Sequence, residues 1–271
     1  YVHTADDAYG WTHLRDIPGE GFTLGLFELT SQRWTTPEAA VPAVWKHWLL
    51  VYRPEKVERS TGLLFITGGS NGRAAPDKAD AGLGGLARQT RSLVAELKMT
   101  PNQPLVFDGD GRERYEDSLI AFNWRRFLDT RDPQWLTRLP MTKAAVRAMD
   151  ALGEISVDFG PPVERFFVMG ASKRGWAAWT TAAVDDRVVG VAPIVIDLLN
   201  IVPSFVHHYR AYGFWEPAVK DYYDEGIMDR FREPEYAELL SIVEPYSYRA
   251  RLTMPKYIVN SAGDQFFLPD S

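Results

Sequence analysis

Gly170-Ala-Ser-Lys-Arg-Gly175 is the segment best suited to nucleophilic chemistry. It separates an apolar run at residues 163–169, which predicts a strand, from residues 176–184, which predict a helix. A serine at such a sharp turn projects its hydroxyl above the sheet as a nucleophile. Gly170 fits this turn, but Arg174 occupies the position two residues after the serine where glycine is usual, and Gly175 follows. Ser172 is therefore a candidate nucleophile, with a helix-capping serine as the alternative.

A candidate acid follows the last predicted strand, at residues 255–261, in the pair Gly263-Asp264. Hydrolases with this kind of turn place serine, acid and histidine in that chain order, and the acid orients the histidine. Asp264 suits this role, although Gly-Asp is also a common turn pair.

The histidine itself is expected beyond Ser271. All five histidines, at positions 3, 13, 47, 207 and 208, precede Asp264. We therefore expect the C-terminal part of the domain to be missing from these 271 residues, and a C-terminal fragment of the same protein to be a partner.

Backbone donors for a developing oxyanion are predicted in two places. The loop Gly68-Gly-Ser-Asn-Gly72 follows a buried strand at residues 63–67, and its N–H groups at Gly69, Ser70 and Asn71 are candidates together with that of Lys173. A phosphate cradle is the alternative, but the loop lacks the Lys-Ser/Thr pair of a P-loop.

Two cations, Lys173 and Arg174, adjoin the candidate nucleophile. They are predicted to bind an acidic substrate or to help polarise a carbonyl. The alternative is that one of them faces solvent while the other pairs with an acidic neighbour. The mixed charge run at residues 110–117 is interpreted as a solvated loop that opens a helix.

An aromatic and polar segment, residues 198–250, interrupts the alternation of strands and helices and predicts a helical cap. It contains His207, His208, Tyr209 and Trp215, which either contact substrate or form an aromatic cap surface. Adjacent residues on a helix point about 100° apart, so the two histidines make a poor metal pair. We predict no metal and no organic cofactor.

Strands and helices alternate from about residue 61, which predicts a mainly parallel sheet. Residues 22–30 and 44–52 are rich in strand formers and predict an antiparallel N-terminal edge. The sequence therefore predicts one α/β domain, residues 1–271, with the α/β-hydrolase fold.

Composition narrows the classes of partner. Thirty basic and 36 acidic residues give a formal charge of −6, which argues against nucleic acid. No apolar run approaches the roughly 20 residues needed to span a bilayer. The absence of cysteine excludes a thiol nucleophile and disulfides. The first residue, Tyr1, is not methionine, which favours a removed signal peptide over a trimmed chain.

Several segments resemble the PhoPQ-activated pathogenicity-related proteins. They are Gly170-Ala-Ser-Lys-Arg-Gly-Trp176, Pro101-Asn-Gln-Pro104, Glu28-Leu-Thr-Ser-Gln32, Leu139-Pro-Met141 with Val146-Arg-Ala-Met-Asp150, and Asn260-Ser-Ala-Gly-Asp264. The resemblance spans nearly the whole chain. It implies a secreted or periplasmic protein of α/β-hydrolase type in a family with virulence-associated members, with Ser172 as nucleophile and Asp264 as acid.

The sequence thus predicts a serine hydrolase that cleaves an ester or amide in a small-molecule or peptide substrate. The alternative is a secreted, non-catalytic signalling or peptide-binding protein on the same scaffold. A third possibility is an envelope lipid or polysaccharide esterase, because glucuronoyl esterases have a similar basic turn, with arginine after the serine and glycine three residues after it.

Overall fold

A computed structural model of the chain describes residues 1–107, 109–196 and 199–268. Its centre is a seven-stranded sheet, and two short strands pair separately. The strands are β1 (Gly10–Gly19), β2 (Phe22–Arg33), β3 (Ala40–Val41), β4 (Val44–Pro54), β5 (Thr61–Ile66), β6 (Val94–Leu97), β7 (Val106–Phe107), β8 (Arg165–Ala171) and β9 (Val188–Ile194).

The large sheet has the order β1-β2-β4-β6-β5-β8-β9. The pairs β1–β2, β2–β4 and β4–β6 are antiparallel, and the remaining neighbours are parallel. Five strands therefore share one direction, and only β1 and β4 oppose them. The predicted mainly parallel sheet with an antiparallel N-terminal edge is confirmed.

Helices cover both faces of this sheet. They are α1 (Ala81–Thr90), α2 (Glu116–Thr130), α3 (Arg138–Ser156), α4 (Lys173–Val184), α5 (Ile201–Tyr212), α6 (Lys220–Asp224) and α7 (Pro234–Val243). Short 3-10 helices occupy Pro133–Trp135, Pro217–Val219, Ile227–Arg230 and Pro245–Tyr248. None of the helices in the described ranges is long and apolar enough to cross a membrane.

Alternation along β2 divides the core between the two faces. Leu24 and Leu26 pack with Ala87 of α1, whereas Phe27 and Leu29 join the larger core on the opposite face. Successive strand residues point to opposite faces, so a strand buried on both sides must be apolar throughout. This explains why the part of β2 from Leu24 to Phe27 contains no polar side chain.

Between β9 and residue 255, the residues that the structure describes form helices joined by turns and loops, with no strand among them. The start of the predicted cap, Leu198, lies outside the described residues. Trp176 in α4 anchors this region, because its indole N–H donates to the Val243 carbonyl at 2.6 Å.

Residues 255–261 were predicted as a strand, and the structure gives them a looser form of that arrangement. Lys256 and Val259 make isolated parallel bridges with Val191 and Ile194 of β9. The chain therefore runs parallel to β9 and leaves the sheet at the same edge as the ends of β5 and β8. This places Asp264 after the carboxyl end of a strand-like segment.

Candidate active site

Ser172 lies at the turn between β8 and α4 with an unusual backbone conformation. Its φ is 52° and its ψ is −124°, and its N–H donates to the Ile194 carbonyl at 2.7 Å. Positive φ is uncommon for residues other than glycine, and such strain concentrates at functional sites. The turn aims a half-buried serine at the edge where β5, β8 and β9 end.

Two glycines make this turn possible. A Cβ on Gly170 would lie 2.4 Å from the Arg174 carbonyl oxygen, and one on Gly175 would lie 2.7 Å from Ile196 Cγ2 and 2.9 Å from the Gly170 oxygen. The close approach behind the serine therefore falls on Gly175, three residues after Ser172. The glycine of this turn therefore stands one position later than in the usual spacing, where Ile196 and the Gly170 carbonyl leave no room for a side chain.

The glycine loop after β5 faces the same edge. Gly69 has φ +142°, and neither its N–H nor that of Ser70 has a backbone acceptor among the residues described. The Asn71 N–H differs, because it donates to the Gln103 carbonyl at 2.5 Å. The Lys173 N–H begins α4 and has no partner within the helix. Backbone N–H groups are therefore available as donors at Gly69, Ser70 and Lys173. The N–H group of Asn71 instead holds the loop in place.

Lys173 and Arg174 both have carboxylate partners. Lys173 Nζ lies 2.5 Å from Asp117 Oδ2, and Arg174 donates to Glu116 through Nη1 at 2.8 Å and Nη2 at 2.6 Å. Burial opposes ionisation of Glu116, but hydrogen bonding and the charge of Arg174 lower the pKa of this carboxyl to about 2. Both cations are therefore paired with acidic neighbours, and the alternative in which one of them faces solvent is wrong.

Glu116 and Asp117 belong to the charge run interpreted above as a solvated loop. The helix that the run was expected to open does begin at Glu116, but these two side chains turn toward α4 and pair with its cations instead of belonging to a solvated loop. Asp117 also accepts a hydrogen bond from the Tyr222 hydroxyl at 3.0 Å. The signal in the sequence was charge complementarity between Glu116-Asp117 and Lys173-Arg174, but nothing local indicated that the two pairs meet.

A small cavity of about 30 Å³ adjoins Ser172. Its lining combines aromatic rings with paired charges, namely Asp117, Trp124, Arg138, Ser172, Lys173, Trp176, Ile196, Phe205, Val219, Tyr222, Phe266 and Phe267. Arg138 is almost fully buried, donates to the Lys173 carbonyl at 3.0 Å and lies over the Trp176 ring. Sequence reasoning missed Arg138, because a buried arginine gives no apolar signal.

Asp264 shares a tight turn with the two phenylalanines of this cavity. Its Oδ1 accepts the N–H groups of Phe266 at 2.7 Å and Phe267 at 3.2 Å. Burial of Phe267 fixes the turn against the site. The carboxylate of Asp264 is therefore held within two residues of the cavity wall, and its second oxygen makes no hydrogen bond within the described residues.

The cap residues named from the sequence lie on and after α5. His208 is buried, stacks on Trp215 at 5.8 Å between ring centroids, and accepts the Glu216 N–H at 3.2 Å. Burial is the main cause that lowers the pKa of His208. Tyr209 is half-exposed beside Trp215, and His207 is half-buried. Phe205, one turn earlier, is the residue of α5 that reaches the cavity.

Within the described ranges, no cluster of three or more histidine, cysteine, aspartate or glutamate side chains is arranged to hold a metal ion. At this edge the structure brings together the Ser172 hydroxyl, backbone N–H donors and the ion pairs of Lys173 and Arg174.

The parallel sheet covered by helices and the serine at the end of β8 define an α/β-hydrolase fold, as the sequence predicted. Over residues 1–271 the sequence matches the PhoPQ-activated pathogenicity-related protein family. The chain belongs to that family, which confirms the resemblance found in its motifs.

Autocrine proliferation repressor protein A of Dictyostelium discoideum is 44% identical over 273 residues, covering 100% of this chain and 55% of that protein. The chain thus spans about half the length of this curated relative. Among solved structures, acetyl xylan esterase 1 from a Thermoanaerobacterium species matches with a TM-score of 0.63 at 14% identity, over 98% of this chain and 76% of that one. A glucuronoyl esterase from Solibacter usitatus matches with a TM-score of 0.57 at 16% identity, over 98% and 71%. At such identities the two esterases show the fold alone.

Proposed function

We propose that the protein is a serine hydrolase that cleaves an ester or amide bond through a covalent acyl-enzyme. The observation that carries this proposal is the backbone of Ser172, which is held at φ 52° beside open N–H donors. Backbone strain at a serine that ends a parallel strand lowers the stability of the folded state, and such strain persists where it serves a functional site.

In the proposed reaction, Ser172 Oγ attacks the substrate carbonyl carbon and transfers its proton to a histidine. The N–H groups of Gly69, Ser70 and Lys173 hold the resulting oxyanion, and loss of one such donor typically slows the reaction by about a hundredfold or more. The tetrahedral intermediate then expels the alcohol or amine, which takes the proton from the histidine. Water releases the acid in a second, equivalent cycle.

Asp264 is the proposed acid and orients the histidine. The histidine is proposed to follow Ser271, because serine, acid and histidine take this chain order in the fold. A C-terminal fragment of the same protein is then the proposed partner of these 271 residues. We also propose a secreted or periplasmic location. The support for this proposal is the resemblance to the family.

The substrate is proposed to be a small molecule or peptide that enters between the cap and the turn after Asp264. The cavity beside Ser172 is small, and Phe266 and Phe267 form part of its wall. Entry therefore requires these rings or the cap residue Phe205 to move. Aromatic walls favour a substrate with an apolar group next to the scissile bond.

The test is labelling of the full-length protein with a fluorophosphonate probe, followed by mass spectrometry of its peptides. We expect an adduct on Ser172 that the Ser172→Ala variant loses. Ser92→Ala is the control, because Ser92 lies on an exposed turn away from the site. Unlabelled wild-type protein that also hydrolyses no ester or peptide would contradict the proposal.

A second candidate is a non-catalytic signalling or peptide-binding protein. One observation favours it, the name of the 44% identical Dictyostelium relative, a proliferation repressor. This second function is favoured if two results are found together. The full-length protein does not react with the fluorophosphonate probe, and the Ser172→Ala variant keeps the biological effect of the wild-type protein.

A further inference from the structure

The side chain of Arg174 leaves the nucleophile turn and lies flat on the glycine loop. It is 11% exposed, and a Cβ added to Gly68 would lie 2.7 Å from its Nη2 atom. Its Nε donates to the Thr100 carbonyl at 2.5 Å. The guanidinium therefore joins the first turn of α4 to Gly68, at the start of the loop, and to Thr100, which follows β6.

Glu116 accepts hydrogen bonds from both terminal nitrogens of Arg174 and is also hydrogen-bonded to Gln103. The Glu116 N–H donates to Gln103 Oε1 at 2.8 Å, while Gln103 Nε2 donates to Glu116 Oε1 at 2.6 Å. Bidentate arginine–carboxylate pairs fix orientation as well as distance. The three side chains consequently behave as one rigid unit.

Gln103 connects this unit to the glycine loop by a hydrogen bond. Its Nε2 also donates to the Gly69 carbonyl at 3.2 Å. That carbonyl and the Ser70 N–H belong to one planar trans peptide, in which they point in opposite directions. Whatever fixes the Gly69 oxygen therefore fixes the direction of the Ser70 N–H.

We infer that Arg174, Glu116 and Gln103 form a positioning unit that aims the Ser70 N–H at the oxyanion formed on Ser172. The catalytic part of this inference rests on the proposed function. Arg174 is then a positioning residue and not a substrate contact, because its carboxylate partner and Thr100 engage Nε, Nη1 and Nη2. Its place two residues after Ser172 couples the nucleophile to its donor through a single side chain.

The test compares Arg174→Gln and Gln103→Leu in the full-length protein, using hydrolysis of p-nitrophenyl acetate. We expect each variant to lower kcat by about tenfold to a hundredfold, with KM changed by less than about twofold. The oxyanion forms only in the transition state, so its donor contributes to kcat and not to substrate binding. The matched control is Arg131→Gln, which removes an exposed arginine–glutamate pair on the surface.

Hydrogen exchange of the Asn71 and Met99 amides supplies a readout independent of turnover. Both amides are hydrogen-bonded at this loop, to Gln103 and Gly68, and we expect faster exchange in Arg174→Gln than in Arg131→Gln. Unchanged exchange, or a kcat equal to that of the control, would overturn the inference. If the wild-type protein has no esterase activity, the proposed function fails, and exchange alone then decides whether the unit holds the loop.

Discussion

Replacement of Gly170 by alanine tests the geometry of the nucleophile turn most directly. The added Cβ would lie 2.4 Å from the Arg174 carbonyl oxygen and 2.6 Å from its carbon, about 1 Å inside normal contact. The obstacle is the backbone of the first turn of α4, which no rotamer change moves aside. Relief requires α4 to shift against β8, where Trp176 and Ala178 are buried.

Overpacking of a filled core costs about 1–3 kcal/mol, and we place Gly170→Ala at the upper end because the clash is with backbone. The free energy of unfolding should fall by about 3 kcal/mol in urea titrations followed by tryptophan fluorescence. The displaced serine should also lose its reaction with a fluorophosphonate.

Gly85→Ala is the matched control, since its Cβ would have no atom within 4 Å and the residue lies inside α1. Alanine is the better helix former, so this variant should gain about 0.5–1 kcal/mol. The reasoning is refuted if the two variants have the same stability, or if Gly170→Ala still reacts at the wild-type rate.

Two further predictions concern buried charge. Asp117→Asn should lower the free energy of unfolding by about 3 kcal/mol, because the buried Lys173 ammonium loses its carboxylate partner at 2.5 Å and keeps Glu116 at 3.5 Å. Asp224→Asn, in an exposed pair with Lys220, should change it by less than about 0.5 kcal/mol, and equal losses would contradict the argument. Burial lowers the pKa of His47 to about 4 from its ordinary 6.5. As the pH falls, the unfolded chain therefore takes up a proton on this histidine before the folded chain does. The free energy of unfolding should fall by about 3 kcal/mol between pH 6.5 and pH 4. A pH series of urea titrations should show a flatter profile for His47→Gln than for the exposed His13→Gln, and parallel profiles would exclude the effect.

The strands were predictable where burial on both faces demands apolar residues throughout. Residues 63–67 and 163–169 were predicted as strands, and β5 and β8 begin within two residues of those starts. β1 was harder to delimit, because it is an edge strand with mostly exposed residues and no apolar run. Its existence depends on pairing with β2.

The candidate site was predictable only where the chain itself is constrained. The glycines around Ser172 report the turn, because a side chain there would strike backbone. The partners of Lys173 and Arg174 lie 56 and 58 residues earlier in sequence, and no local pattern encodes such a meeting. The start of helix α3 gives little signal in the sequence, because buried polar residues such as Arg138 break its apolar periodicity.

The position of the close contact behind Ser172 also bears on how such turns are recognised in other sequences. A search for Gly-X-Ser-X-Gly misses Ser172, because arginine stands where that pattern demands glycine, and it matches instead the loop Gly68-Gly-Ser-Asn-Gly72. The steric requirement here concerns the residues two before and three after the serine. A pattern written as Gly-X-Ser-X-X-Gly follows that requirement and leaves the intervening positions free, so it retrieves chains in which, as here, a long cationic side chain occupies one of them.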